Sequence, residues 1–371
     1  MSTLPPQPVQ IARNAESLQQ DFIRVTMDRI PDPLWQYALV VRKNVTRVRP
    51  NDGLVPPTEA KPARSVGLLY REDIESDIEV VGVRLRFEID PAHWLEEWLR
   101  FNGLAPASML RWPLAGGTSG DAVVEWEIDG VPYAGRFATF KSGSRLFITC
   151  CRGRRGNYDR VADDFFITLA QFKLVQSDPG PLAEPVRSVT GSIPVPFRLL
   201  MPGSWTLSAA EGGEGSGTIQ ASAQPPAEND AAAVSATTPF PGLPEREPIV
   251  WPSSTWNAQL SATLAPASAI AGWDAAGTLC LSALRAAGLE LEELTFVEEA
   301  PPGPFESSRT LTTPARLRGE PGAEVRCRLA KVGPLWLISA GVGVAREVNP
   351  HAWMRNARAH DLLAQTAEFE L

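Results

Sequence analysis

A segment that occurs twice limits the fold of this chain more than any other feature. Gly135 to Leu174, GRFATFKSGSRLFITCCRGRRGNYDRVADDFFITLAQFKL, has a counterpart in Cys327 to Leu371, CRLAKVGPLWLISAGVGVAREVNPHAWMRNARAHDLLAQTAEFEL. Arg136-Phe137-Ala138 is set against Arg328-Leu329-Ala330, a glycine-containing turn follows, and LFIT then matches WLIS. Each copy continues through a polar loop and an amphipathic helix to a short alternating strand, QFKL in one and EFEL in the other. The copies differ by about five residues of loop, as surface connections commonly do. Upstream the order agrees again. VVGVRLRFEIDPAHWLEEWLRFNGL reads as strand then helix, and so does WNAQLSATLAPASAIAGWDAAGTLCLSALRAAGL. Further upstream, PLWQYALVVRKNVTRVRP pairs loosely with PVPFRLLMPGSWTLSAA. At 371 residues the chain is long enough for about two cores, and the repeat says that they share one plan.

The periodicities say what that plan is. Val81, Val83, Leu85, Phe87 and Ile89 alternate with polar or small residues, the mark of a strand buried on one face. Asp90 then suits a helix N-cap and Pro91 the first helical turn, where no N–H is needed. Trp94, Leu95, Trp98 and Leu99 follow as an apolar stripe. Asn349-Pro350 repeats the start signal ahead of a C-terminal helix. Segregated strands and helices predict an α+β fold, two similar units each made of a mainly antiparallel sheet with packed helices, related as a pseudo-two-fold tandem repeat. The expected division is an N-terminal extension, 1–30, partly helical, with Leu18, Phe22, Val25 and Met27 at roughly helical spacing. A first unit at 31–176, a linker at 177–192 and a second unit at 193–371 follow. Small, polar and proline residues dominate 208–254, which predicts a long flexible loop holding one short strand at GTIQASA.

Charge and leader signals narrow the classes of function. The net charge is −8, from 35 basic and 43 acidic residues. That balance speaks against nucleic acid and against anionic lipid as partners, since both need a basic surface. The N-terminus has no apolar signal-like core and no run approaches a membrane span, so neither export nor stable membrane insertion is expected. Four cysteines with no export signal imply reduced thiols and a cytoplasmic location.

One place resembles chemistry. Cys150 and Cys151 precede a turn that holds Arg152, Arg154 and Arg155, which reads either as a thiol poised over an anion site or as the end of a buried strand. The repeat favours the strand end. The two cysteines fall on Ala340 and Gly341, and the arginines on Val342, Val344 and Ala345, so the position asks for small side chains rather than for sulfur. An arginine six places after the cysteine, as a phosphatase-like loop would have, is missing. His93, His351 and His360 are expected on helix surfaces, without metal-ligand spacing, and Cys280 and Cys327 form no CxxC pair. GVGVAR, Gly341 to Arg346, lacks the third glycine and the βαβ setting of a dinucleotide site. Carboxylates at Asp73–Glu79, Glu96-Glu97 and Leu289–Ala300 read as solvated charge. No catalytic residue, cofactor or metal site is expected.

The order of elements resembles the Mog1/PsbP-like superfamily, including its bacterial DcrB-like and Eag-type chaperone branch. FRLLMPGSW, Phe197 to Trp205, and the closing LFITCC…YDRVADDFFITLAQFKL carry the resemblance, which spans nearly the whole chain as two units. The opening motif is clear only in the second. The resemblance implies a non-catalytic adaptor or chaperone whose apolar sheet faces hold a helix or peptide of a type VI secretion effector. Eleven tryptophans are many for this length, and Trp94, Trp98, Phe101, Trp112 and Trp126 are the candidate partner-binding residues, with ordinary core as the plain alternative. Two other classes stay open: a structural or assembly subunit, and an enzyme without a sequence signature.

Overall fold

The computed structural model describes residues 4, 7–11, 13–48, 55–59, 61–114, 117–192, 194–213, 216–223, 225 and 251–370. It is an α+β molecule of mostly antiparallel sheets. The described residues fall into two compact units, one within 4–86 and 90–183, the other within 87–89, 184–225 and 251–370.

The first unit begins with helix α1 (Ala15–Asp21) and strand β1 (Phe22–Thr26), then β2 (Tyr37–Arg42), β3 (Thr46–Val48), β4 (Ala63–Arg71) and β5 (Ser76–Arg84). Helix α2 (Pro91–Phe101) precedes a meander of four strands, β6 (Pro106–Leu114), β7 (Gly117–Ile128), β8 (Val131–Ser142) and β9 (Arg145–Arg154). Helix α3 (Tyr158–Ala170) leads into β10 (Lys173–Leu174). The long sheet runs β3-β4-β5-β9-β8-β7-β6, and β1-β2-β10 form a second, small one. Val161, Phe165 and Leu169 of α3 pack with Phe147, Cys151, Ala134 and Ala138 and with Tyr37, Leu39 and Val41 of β2. Burying each such large apolar side chain contributes roughly 1.5–3 kcal/mol.

Asp90 caps α2 as expected, accepting from the backbone N–H groups of Ala92 and His93, with Pro91 in the first turn. The preceding strand is displaced from expectation. It starts at Ser76 and stops at Arg84, so Phe87 and Ile89 lie beyond it. The N-terminal segment also differs. Helix α1 ends at Asp21, and Phe22 and Val25 are buried on opposite faces of β1, a strand paired along its whole length with β2. The run Ile23, Val25, Thr26 is β-branched and suits a strand, which outweighs the coincidental helical spacing. Phe22, Val25, Met27 and Ile30 are buried, so this segment packs on the first unit.

The second unit comprises β11 (Val186–Gly191), β12 (Phe197–Pro202), β13 (Trp205–Gly213), β14 (Ser216–Ala223), β15 (Ala258–Pro266) and helix α4 (Trp273–Ala286). Two short strands, β16 (Leu289–Leu291) and β17 (Val297–Glu299), precede β18 (Ser307–Leu317), β19 (Glu320–Val332) and β20 (Leu335–Val344). Helix α5 (Pro350–Gln365) and β21 (Glu368–Phe369) close it. The long sheet runs β13-β14-β15-β20-β19-β18-β16, with β17 also on β18, and the small one is β11-β12-β21. Asn349 caps α5 by accepting from Ala352 N–H. Strand β11 falls inside the stretch read as linker. Of the stretch read as a flexible loop, GTIQASA lies within β14, and residues 226–250 are outside the described residues.

Hairpin geometry corrects one match between the two compared segments. Ser142 pairs with Arg145 and Val332 with Leu335, each around a two-residue turn whose glycine, Gly143 or Gly333, has φ of 56° or 48°. Such backbone is the reason for glycine there. Counting back from these turns sets Arg136, opposite Cys151, level with Arg326, opposite Gly341. Arg328 lies two residues away because the match had allowed one turn to be shorter than the other.

Candidate functional site

Cys150 and Cys151 stand on β9, so their side chains leave opposite faces of the sheet. Both are fully buried, and burial pushes both thiols up, away from the thiolate. The neighbouring arginines serve carboxylates instead. Arg152 lies 2.6 Å from Asp77 and 3.3 Å from Glu79, Arg154 pairs with Glu75, and Arg155 lies 2.6 Å from Glu125. A buried thiol beside cations that are already neutralised is a packing group. Cys280 on α4 and Cys327 on β19, unrelated in sequence, are buried in one apolar cluster, and the neighbouring Cys280 together with burial raises the Cys327 thiol. Nothing in their spacing could have shown that contact.

Several polar residues expected at the surface are not there. His360 is buried, 3.0 Å from Ser339 Oγ, and burial lowers its pKa to about 3. His351 is half-buried against Trp251, at 4.9 Å between rings, and burial lowers it to about 4. Glu97 is buried and accepts from Arg100 at 2.7 Å. Asp77 is raised to about 6, because burial outweighs the attraction of Arg152. The carboxylates at Glu290, Glu292, Glu293 and Glu298 are exposed, as read.

The five aromatic candidates separate. Trp94 and Trp98 stack at 5.9 Å on α2, and Trp98 and Trp126 both meet Phe137, at 5.9 and 5.8 Å. All three tryptophans are buried. Phe101 is half-buried, with the Arg100 guanidinium 5.5 Å from its ring centre. Trp112 differs, being 40% exposed on β6. That strand is bonded to β7 alone and ends the long sheet of the first unit. Its backbone groups on the other side have no strand partner among the described residues.

Buried ion pairs escaped sequence reasoning, among them Glu88 with Arg358 at 3.1 Å and the groups around Asp121 and Asp164. Asp121 accepts from Arg136 Nε at 2.8 Å and Nη2 at 2.6 Å, from Gln7 Nε2 at 2.8 Å and from Trp112 Nε1 at 3.4 Å. Asp164 on α3 accepts from Arg42 at 2.9 Å, Arg71 at 3.1 Å and Arg13 at 3.4 Å. The available signal was a charged residue on the inward face of an otherwise apolar strand or helix, as Arg136 is between Ala134 and Ala138. Among the described residues no group of three or more His, Cys, Asp or Glu side chains could hold a metal ion. No described helix is long and apolar enough to cross a membrane, which leaves membrane-spanning strands unaddressed.

No protein-family model matches the chain, and no curated protein does. Among solved structures it is similar to cyanobacterial PsbP from Synechocystis sp. PCC 6803, at 8% identity and a TM-score of 0.32 over 42% of this chain and 92% of that one. It is also similar to LpqN of Mycobacterium tuberculosis, involved in cell envelope biogenesis, at 12% identity and a TM-score of 0.28 over 43% and 95%. The type VI secretion immunity protein TplEi of Pseudomonas aeruginosa matches at 9% identity and a TM-score of 0.21, over 94% of this chain and 97% of that one. PsbP-like structures are thus among the neighbours of this α+β fold. Likenesses this distant carry nothing about activity.

Proposed function

We propose that the chain is a non-catalytic protein-binding protein, an adaptor or chaperone of the cytoplasm, that takes an extended peptide segment of its partner along β6. The single observation that carries this reading is the open edge of β6 with Trp112 standing on it. Edge strands expose a row of unpaired N–H and C=O groups, and natural proteins usually blunt them by keeping them short. At the edges of the two long sheets β3 and β16 have three residues each, whereas β6 and β13 have nine; of these two, β6 is the one whose tryptophan is exposed, Trp112 at 40% against Trp205 at 1%. Pro106 and Pro113 bound the usable part, leaving Ala107 to Trp112 for main-chain pairing and the indole as an anchor. The neighbours connected with type VI secretion suggest an effector as the partner by name only, and the proposal does not rest on them.

Within the same reading the two units are products of one duplication. Each has a small three-stranded sheet and a long one whose order runs in step, β3-β4-β5-β9-β8-β7-β6 beside β13-β14-β15-β20-β19-β18-β16. Each ends in a helix and a two-residue strand that joins the small sheet.

A photo-reactive amino acid placed at position 112, expressed in the native organism, tests the function. Leu279 on α4, 49% exposed, is the control position. A discrete adduct with one co-purified protein at position 112, and none at 279, is expected. Equal labelling at both positions, or no adduct at 112, refutes the reading. An adduct with a second copy of this chain assigns it to the assembly-subunit class instead.

A further inference from the structure

The GVGV run has a use that its sequence did not suggest. Gly341 and Gly343 of β20 form the floor of a depression under α5, whose walls include Trp205, Leu260, Arg326 and Asn356. The Asn356 amide has a defined orientation there. Its Oδ1 accepts from Arg355 Nε and Nη2, both at 3.3 Å, which turns Nδ2 toward β20. A side chain at Gly343 would begin 2.5 Å from that nitrogen, so glycine is what admits the amide. Asn356 Nδ2 is buried with no partner among the described residues. Trp205, only 1% exposed, lines the same depression, and its indole N–H is likewise buried without an acceptor. Two buried donors left unmet in one concavity are costly and therefore informative.

The acceptor does not come from the depression's own carboxylate. Glu324 Oε1 is already occupied by Trp353 Nε1 at 2.6 Å and Arg326 Nε at 3.0 Å. His360 is engaged with Ser339. The first unit shows the opposite polarity under its own closing helix. There Asp164 lines a depression with Arg42 and Arg71, and the chain itself supplies the donors that satisfy the carboxylate. Under α5 the helix presents a donor, and the missing group is an acceptor.

We propose that this depression binds a carboxylate, whose oxygens accept from Asn356 Nδ2 and Trp205 Nε1; Arg326, already paired with Glu324, adds no free charge, and the two buried donors alone hold the anion. The carboxylate belongs either to a free small acid or to an acidic side chain of a partner. This site is separate from β6 and stands or falls independently of the function proposed above.

The test is a titration of the full-length, ¹⁵N-labelled protein at constant ionic strength, following the Trp205 indole N–H, assigned by Trp205→Phe. Acetate is expected to shift that signal saturably in the millimolar range, with acetamide weaker and chloride without effect. Asn356→Leu should weaken acetate about tenfold, the worth of one good hydrogen bond to a charge. Asn356→Asp keeps the shape while opposing an anion, and should abolish the shift. A blocked Ala-Glu-Ala peptide binding more tightly than acetate identifies a partner side chain, and acetate binding without the peptide identifies a free acid. No saturable shift with acetate, an undiminished shift in both Asn356 variants, or an exchange signal from one trapped water that acetate leaves unchanged each overturns the proposal.

Discussion

Arg136→Met removes one half of an ion pair that the first unit has sealed from water. Arg136 has no exposed surface, its guanidinium grips Asp121 through two bonds of 2.8 and 2.6 Å, and it lies 4.6 Å from the ring centre of Phe166. Methionine replaces much of the stem but leaves the Asp121 charge buried. Breaking a buried pair from one side typically costs 3–5 kcal/mol, roughly, and the Gln7 and Trp112 donors that remain on Asp121 place the expected loss near the lower end, about 3 kcal/mol. For a unit of this size that corresponds to a fall of about 6–12 °C in its thermal midpoint. Replacing both partners, Arg136→Met with Asp121→Val, removes the stranded charge and should restore most of the loss, because an apolar pair on facing strands is often no worse than the ions. Thermal unfolding of the full chain followed by tryptophan fluorescence measures all four members of the cycle. If Arg136→Met costs less than about 1 kcal/mol, or the double variant is as unstable as the single, the buried-pair reasoning is wrong.

Two pH dependences of opposite sign follow from burial. Asp77 has its folded pKa raised to about 6 from 3.8, so between those values the folded state holds a proton that the unfolded state has lost, and stability falls as pH rises through that window. Asp77→Asn should therefore stabilise the protein at pH 7, by no more than about 3 kcal/mol, and leave it unchanged near pH 3.5; urea midpoints at the two pH values check this. His360 has its folded pKa lowered to about 3 from 6.5, so the unfolded state protonates first and stability is lost as pH falls below 6.5. His360→Gln should flatten that decline, which reaches at most about 1.4 kcal/mol per pH unit for one group, in urea titrations between pH 7 and 4.5. All four thiols are buried, so a disulfide reagent should react with none of them in the native protein and with all four in urea; fast labelling of Cys150 or Cys151 in the native state would revive the reactive-thiol reading.

The parts of this fold that were legible in the sequence are those fixed within a few residues. Asp90-Pro91 and Asn349-Pro350 announce helix starts because a cap acts on the next turn, and Gly143 and Gly333 mark hairpins because the turn needs their positive φ. What was not legible depends on partners far along the chain. Phe22 and Val25 were spaced like a helix until β2 supplied a strand to pair with. Trp94, Trp98 and Trp126 were as aromatic as Trp112, but Phe137 meets Trp98 and Trp126, and Trp94 stacks on Trp98, so those three are buried. His360 looked like a surface residue of a polar helix until Ser339 gave it a buried partner. Trp205 and Asn356 share a depression across some 150 positions of sequence, a relation that spacing cannot express.

The first unit is fastened by residues from its two extremes. Gln7 reaches Asp121, Arg13 reaches Asp164, and β10 lies beside β2. During synthesis β1 can meet β2 early, but Gln7 and Arg13 emerge well before Asp121 and Asp164, and the full set of attachments waits until residue 174 has left the ribosome. For that interval β2 has one bare flank and Arg13 and Arg42 have no Asp164 to meet. Loop-closure entropy makes these distant attachments late events even afterwards. A nascent chain halted before α3 should therefore remain digestible by protease, and one halted far enough beyond β10 should become resistant in a single step.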